Sequence, residues 1–184
     1  ENQHKTLLEI APGHTILGRI VESLVAVGID DIVVVTGYRA NEVEEYLRTH
    51  FSGPSFTFVE NSRYADTNNI HSMALAFESV SFDEGVVLVE SDLIYDSSVL
   101  ATLFESPEDN VALVDTYRPG MDGTVVRIDD EGIIVDVVPG SRQGAYFDFS
   151  TTFKTLNVYR FSGEFCNSTF APLLKFYARA IDDN

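Results

Sequence analysis

Apolar and polar positions alternate along the first half of the chain with two different periods, and each period predicts one kind of element. Residues 15–27 carry apolar side chains at helical spacing and are followed by Gly28, which predicts a helix with a glycine stop. The β-branched run DIVVVT at 31–36 predicts a strand that is buried on both faces. The same alternation predicts helices from Asn41, over 69–80 and over 97–104, and strands over 56–59 and 86–89. It is typical of a parallel sheet with right-handed crossovers.

The pattern changes in the second half of the chain, where strands follow one another without helices between them. The predicted strands cover 111–117, 124–128, 133–138 and 155–161, and a last helix is predicted from Gly163. The turn Asp129–Gly132 between two of these strands is typical of a hairpin. We therefore predict an α/β fold with helices packed on a central mixed, mostly parallel sheet.

Carboxylates directly follow the most hydrophobic of the predicted strands. Val86–Val89 is followed by Glu90, Ser91 and Asp92, at the end of the strand where open α/β sheets bind their ligands. A carboxylate at that position can hold Mg²⁺ against a phosphate, and Asp92 is the candidate ligand. The alternative is that Asp92 caps the helix that follows. The role of Glu90 stays open, and Asp96 is better explained as a cap or turn residue.

Composition limits the classes of partner. The chain has 184 residues, of which 45% are hydrophobic and 22% charged, and these values are typical of a globular domain. The formal net charge of −17 argues against a nucleic-acid partner and requires a phosphate ligand to be met by a few local cations or a metal. The single cysteine, Cys166, excludes an internal disulfide, and no apolar run approaches the ~20 residues of a membrane span. We expect a cytoplasmic protein without a membrane span.

Amide, hydroxyl and lysine side chains supply further candidates. Asn68 and Asn69 stand together at the start of a predicted helix, where N-capping needs only one asparagine. The second amide can pair with both donor and acceptor atoms of a base edge. Ser72 lies one helical turn after Asn69. Lys154 lies in an apolar strand, so its ammonium group needs a partner or a route to solvent along the strand edge.

Four segments, in order along nearly the whole chain, resemble nucleotidyltransferases of the sugar-phosphate and phosphocholine type, a GT-A-like family. They are HKTLLEIAPGHTILGRIVESLVAVGIDDIVVVTGY, NSRYADTNNIHSMALA, VLVESDLIYDSSVL and FKTLNVYRFS. The second segment resembles the N-x-x-Y-x-x-x-N-N-x-x-S run of phosphocholine and phosphonate cytidylyltransferases. In the first segment Lys5 takes the position of the family's lysine, with His4 where proline is usual.

The resemblance implies a Rossmann-like three-layer fold and a Mg²⁺-dependent enzyme. The implied reaction is transfer of CMP from CTP to phosphocholine, 2-aminoethylphosphonate or a similar small phospho-acceptor, with release of pyrophosphate. By the same resemblance, Lys5 would offset the charge of the triphosphate, Lys154 would contact the acceptor phosphate, and Asp92 would hold Mg²⁺. The side chains that would seat the base are Asn68, Asn69 and Ser72.

Two features of the family fall outside the matching segments. A strand with the glycine-rich loop L-A-A-G-x-G-x-R is expected before Lys5, and a second metal-binding acid is expected after the last helix. We therefore expect residues 1–184 to form a single catalytic domain that lacks its N-terminal strand and loop and its C-terminal end. Three alternatives stay open: a sugar-1-phosphate nucleotidyltransferase that uses UTP, dTTP or GTP, a non-catalytic nucleotide-binding module, and one domain of a fusion with another enzyme.

Overall fold

The computed structural model describes residues 3–96 and 98–182 and has the predicted α/β architecture. Its helices are α1 (Ile16–Ala26), α2 (Ala40–His50), α3 (Asn69–Ser79), α4 (Ser98–Glu105), α5 (Gly163–Phe165) and α6 (Ala171–Asp182). Its strands are β1 (Glu9–Ala11), β2 (His14–Thr15), β3 (Asp31–Thr36), β4 (Ser55–Glu60), β5 (Val86–Val89), β6 (Val111–Thr116), β7 (Val125–Ile128), β8 (Ile134–Val138) and β9 (Phe153–Phe161). Short 3-10 turns cover Lys5–Leu7 and Gly140–Arg142, and a π-helical turn, Cys166–Phe170, joins α5 to α6.

Most predicted element boundaries are confirmed to within one or two residues. Strands β3 and β5 coincide with the two apolar runs that predicted them. Helix α2 begins at Ala40, and its N-cap position is occupied by Arg39, in a left-handed conformation with φ of 52°. The expectation that Asn41 caps this helix is wrong, since Asn41 lies inside its first turn. Strand β9 begins at Phe153, two residues earlier than predicted, because its first residues pair with β7. Ser97, where the helix now called α4 was predicted to start, lies outside the described residues.

Strand β9 organises the larger sheet. It pairs antiparallel with β5 over residues 158–161 and with β7 over 153–154, while β6 pairs with it from the opposite edge. Strand β8 extends this sheet through its hairpin with β7. Among the described residues the one parallel pair is β3 with β4, which form a two-stranded sheet of their own. All described pairs within the five-stranded sheet are antiparallel. The predicted α/β class is confirmed, but the described strands do not pair as one central, mostly parallel sheet, because β9 returns antiparallel between its neighbours.

One hydrophobic core joins these elements. Helices α1, α2 and α4 contribute side chains to it together with β3 and β9, and Leu47, Leu100 and Leu103 are fully buried there. Helix α3 contacts β3 and β4 and packs against α6. None of the helices in the described ranges is long and apolar enough to cross a membrane.

A substitution at the junction between β9 and α5 tests how closely these elements pack. Gly163 lies against the turn before β5, and a Cβ atom there would be 1.7 Å from the backbone oxygen of Asp83. We expect Gly163→Ala to lower the free energy of unfolding by about 1–3 kcal/mol, since overpacking displaces backbone. Urea denaturation measures the effect. Gly53→Ala is the matched control, because a Cβ at Gly53 meets nothing within 4 Å. Equal urea midpoints for the two variants would contradict the contact.

Candidate active site

Lys5 and Asp92 form an ion pair at the end of β5. The Lys5 Nζ lies 2.7 Å from the Asp92 Oδ2, although 87 positions separate the residues in the chain. Their side chains are 66% and 44% exposed, and an ion pair of this kind contributes only about 0–1 kcal/mol to stability. The structure thus brings together two residues that the sequence singled out, in a contact that matters little for folding.

The 3-10 turn that carries Lys5 is anchored on both sides of the lysine. Thr6 and Leu7 are buried, and the Thr6 backbone N–H donates to the Nδ1 of His4 at 3.3 Å. Burial lowers the pKa of His4 and the Lys5 ammonium lowers it further, so the imidazole stays neutral and accepts this bond. The ring of Tyr38 stacks on His4 with centroids 6.1 Å apart. The side chain of Lys5 is therefore exposed while its backbone is held.

Helix capping after β5 is performed by Asp96 rather than by Asp92. The Asp96 Oδ1 accepts hydrogen bonds from the backbone N–H and the hydroxyl of Ser98, at 2.9 and 2.7 Å. These bonds lower the pKa of the Asp96 carboxyl. The prediction that Asp96 is a cap or turn residue is confirmed, and Asp92, whose described polar contact is with Lys5, is left available for a ligand.

Glu90 holds two asparagine side chains beside the ion pair. Its Oε2 accepts from the Asn157 Nδ2 at 2.9 Å, and its Oε1 accepts from the Asn69 Nδ2 at 3.4 Å. Sequence reasoning left the role of Glu90 open and assigned none to Asn157. The signal for Asn157 was an amide between the apolar residues Leu156 and Val158 of a predicted strand. Its pairing with Glu90 depends on how β9 and β5 align, which the sequence does not state.

Of the two asparagines at the start of α3, one caps the helix and the other presents its amide away from the helix end. The Asn68 Oδ1 accepts from the Ile70 backbone N–H at 3.0 Å and caps the helix. Asn69 does not cap the helix, and its amide reaches Glu90. One asparagine thus satisfies the helix end while the other projects toward the end of β5.

Ser72 lies one turn further along α3 and faces the turn that precedes the helix. Its Oγ accepts from the Asn61 Nδ2 at 3.0 Å, and the same amide group donates to the Thr67 Oγ1 at 2.9 Å. Asn61 is only 2% exposed, so this bond sits in a buried network that shapes the turn. Asn61 is a supporting residue that the sequence motif contained but that received no role.

Lys154 is a half-buried lysine near the start of β9. Its Nζ donates to the backbone oxygen of Thr155 at 2.9 Å and lies 3.4 Å from the Thr155 Oγ1. A Cβ atom at Gly123 would lie 3.6 Å from this Nζ, so the ammonium group rests beside the bare backbone of a glycine. The ammonium group of Lys154 therefore has the local hydrogen-bond partners that a lysine in an apolar strand needs. Thr155 in turn contacts Asn157, and Asn157 bonds to Glu90.

The carboxylates at the end of β5 fit a magnesium ion that binds together with a nucleotide. Within residues 3–96 and 98–182 no group of three or more His, Cys, Asp or Glu side chains could hold a metal by itself. Mg²⁺ prefers oxygen ligands and is commonly held by one or two carboxylates, with phosphate oxygens and water completing its shell. The carboxylate of Asp92, with Glu90 two positions earlier, supplies that kind of donor.

Comparison with known protein families identifies the class of this α/β domain. Residues 2–132 match the MobA-like NTP transferase domain, and the chain belongs to that family.

Curated relatives extend the comparison to nearly the whole chain. The chain is 34% identical over 172 residues to CMP-5'-(3-aminopropyl)phosphonate synthase of Streptomyces rubellomurinus. The aligned region covers 93% of this chain and 27% of that protein. It is 31% identical over 102 residues to choline-phosphate cytidylyltransferase of Haemophilus influenzae, and this aligned region covers 55% of this chain and 40% of that protein. The chain therefore spans less than half the length of either relative.

Solved structures share the fold. The inositol-1-phosphate CTP transferase of T. maritima matches with a TM-score of 0.66 at 17% identity, covering 97% of this chain and 73% of that one. A Bacillus anthracis protein assigned as a glucose-1-phosphate thymidylyltransferase, in complex with sucrose, matches with a TM-score of 0.68 at 16% identity, covering 88% and 64%. At these identities the likeness concerns the fold alone.

Proposed function

We propose that this domain is a cytidylyltransferase, which transfers CMP from CTP to phosphocholine, an aminoalkylphosphonate or a similar small phospho-acceptor and releases pyrophosphate. The observation that carries the proposal is the Lys5–Asp92 ion pair at the end of β5, with Asn69 and Asn157 held beside it by Glu90. The two curated relatives support the choice of cytidine, since both are named for cytidylyl products or substrates.

The proposed reaction is attack by an acceptor phosphate or phosphonate oxygen on the α-phosphorus of CTP. The new O–P bond forms as the bond to pyrophosphate breaks, and pyrophosphate leaves with the electron pair. Such a transfer depends on positioning and charge neutralisation rather than on a covalent intermediate. Mg²⁺, held by Asp92, would offset the charge of the nucleotide phosphates when bound.

The two lysines have separate tasks in this proposal. Lys5 leaves Asp92 and contacts the triphosphate, and the exchange is inexpensive because the ion pair is exposed. Lys154 contacts the acceptor phosphate, exchanging its bonds to Thr155 for charge-assisted ones. Both are needed because a chain of net charge −17 repels anions except where local cations attract them.

The base is seated at the start of α3 in this proposal. Asn69 presents an amide that can both donate and accept, which matches the mixed edge of cytosine. Asn68 positions this turn by capping the helix, and Ser72 supports it through Asn61. Nucleobases are neutral, so they are distinguished by hydrogen bonds rather than by charge, and amide side chains are suited to that task.

Pyrophosphate release tests the proposal. The protein, with Mg²⁺, is combined with each of the four ribonucleoside triphosphates and dTTP and with phosphocholine, 2-aminoethylphosphonate, 3-aminopropylphosphonate or sugar 1-phosphates. We expect release with CTP and one amino-alcohol phosphate or aminoalkylphosphonate. Release only with a sugar 1-phosphate would contradict the proposed acceptor class and assign sugar 1-phosphates in its place. If folded protein releases no pyrophosphate in any combination, a non-catalytic nucleotide-binding module is favoured.

Substitution of Lys154 separates acceptor binding from nucleotide binding. We expect Lys154→Ala to raise the KM for the acceptor about tenfold or more, the effect of losing one bond to a charged group, with a smaller change in the KM for CTP. Steady-state kinetics with each substrate varied in turn measures both constants. Lys175→Ala, an exposed lysine on α6, is the control for loss of one positive charge. An unchanged acceptor KM in Lys154→Ala would contradict the assignment.

A further inference from the structure

We propose that Glu90 and Asn157 form a positioning pair that holds the acceptor-binding strand β9 against the metal-binding end of β5. This inference rests on the proposed function and deepens it, since neither residue is needed there as a substrate ligand. The pair joins the two elements through the 2.9 Å bond from the Asn157 Nδ2 to the Glu90 Oε2 and through a longer backbone bond, in which the Glu90 N–H donates to the Asn157 carbonyl oxygen at 3.4 Å.

An irregularity of β9 aims Asn157 at Glu90. Between the pairs Ala112–Tyr159 and Val114–Thr155, β6 advances two residues while β9 advances four, so β9 carries two extra residues there. Asn157 lies in this bulge with a φ of 56°, a left-handed conformation that asparagine tolerates better than most residues. Bulges of this kind redirect a side chain and are common beside active sites. Asn157 lies directly opposite Glu90 when the register of β5 with β9 is continued one step beyond Val89–Val158, and in this bulge its side chain faces the Glu90 carboxylate.

The hydrogen-bonding pattern fixes the orientation of the Asn157 amide. A carboxylate only accepts, so the NH₂ group must face Glu90. The opposite side of the amide, its Oδ1, lies 3.2 Å from the Thr155 Oγ1 and 3.4 Å from the Tyr159 hydroxyl. Burial raises the pKa of Tyr159 and the charge of Glu90 raises it further, which keeps this hydroxyl protonated as a donor. Both ends of the amide are therefore satisfied in one orientation only.

The pair completes a chain of polar contacts from one proposed substrate site to the other. Lys154 bonds to Thr155, Thr155 contacts Asn157, Asn157 bonds to Glu90, and Glu90 accepts from Asn69. The acceptor lysine and the base-seating amide thus lie at its two ends, with Asp92 two residues along the sequence from its member Glu90. A shift of β9 along β5 would change the distance between the two substrates, and misplacement of about 1 Å can cost on the order of 10²-fold in rate.

Exchanging the two side-chain groups tests the pair. Glu90→Gln places an NH₂ group where two asparagine amides donate, and Asn157→Asp places a carboxylate against Glu90. The double variant Glu90→Gln/Asn157→Asp restores both contacts, because the introduced glutamine amide donates to the introduced aspartate carboxylate and its oxygen still accepts from Asn69. We expect each single variant to lose about 10- to 100-fold in kcat/KM for CTP, the effect of one bond to a charged group, and the double variant to recover most of it.

Two readouts separate positioning from a purely structural role. Because Lys154 and Asn69 lie at the two ends of the chain of contacts, the single variants should raise the KM for both substrates. A pair that only supports folding would lower the amount of active protein and leave both KM values unchanged. A double variant as impaired as Glu90→Gln alone would show that the Glu90 carboxylate acts by itself, for example on the metal, and would overturn the proposal.

Unfolding measurements distinguish failure of the pair from failure of the proposed function. Urea midpoints of the four proteins form a double-mutant cycle that needs no activity. We expect both single variants to have lower midpoints and the double variant to recover. If midpoints and kcat/KM of the single variants equal those of the unmodified protein, the pair does not exist. If the cycle shows coupling but the unmodified protein turns over no substrate, the proposed function and the positioning role fail while the contact stands.

Discussion

Strand β9 pairs with β5, β6 and β7 at once, and the positions of the candidate active-site residues follow from this pairing. Its antiparallel register with β5 runs to Val89–Val158, and one step further Asn157 lies opposite Glu90 and bonds to its carboxylate, with Asp92 two positions further along the chain. The same strand carries Lys154 at the point where pairing passes to β7. One strand therefore sets the spacing between the proposed metal-binding and acceptor-binding groups, and its bulge against β6 lies between the residues that pair with β5 and those that pair with β7.

The electrostatics of the site follow from a strongly acidic chain with few cations. Lys5 and Lys154 each have a weak local partner, an exposed carboxylate in one case and Thr155 oxygens in the other. Partners of this strength hold the lysines in place without competing effectively against a phosphate dianion. The buried polar residues lie next to the exposed ones: Thr6 follows Lys5 in the chain, and Asn61 bonds to the turn that precedes α3. Fixed backbone supports under side chains that can change partners suit the proposed binding of two phosphate-bearing substrates.

Much of this arrangement could be predicted from sequence, for reasons that differ between residues. The boundaries of β3 and β5 follow from uninterrupted apolar runs, and the division between Asn68 and Asn69 follows because only one residue can occupy the N-cap position of a helix. The approach of Lys5 to Asp92 was implied only by family resemblance. The roles of Glu90 and Asn157 could not be predicted, because a bulge depends on the register of strands that are far apart in the chain. The balance of parallel and antiparallel pairs escaped prediction for the same reason.

Substitution of Asp92 tests the account most directly. Asp92→Asn keeps the size of the side chain but removes the charge that would hold Mg²⁺ and that pairs with Lys5. Asp96→Asn is the matched control, since it removes a charge four positions away and asparagine caps a helix as well as aspartate does. With both variants shown to be folded, we expect Mg²⁺-dependent pyrophosphate release to fall on the order of 10²-fold or more in Asp92→Asn and to stay within about twofold in Asp96→Asn. Activity of Asp92→Asn close to that of the unmodified protein would contradict the assignment of the end of β5 as the metal-binding centre.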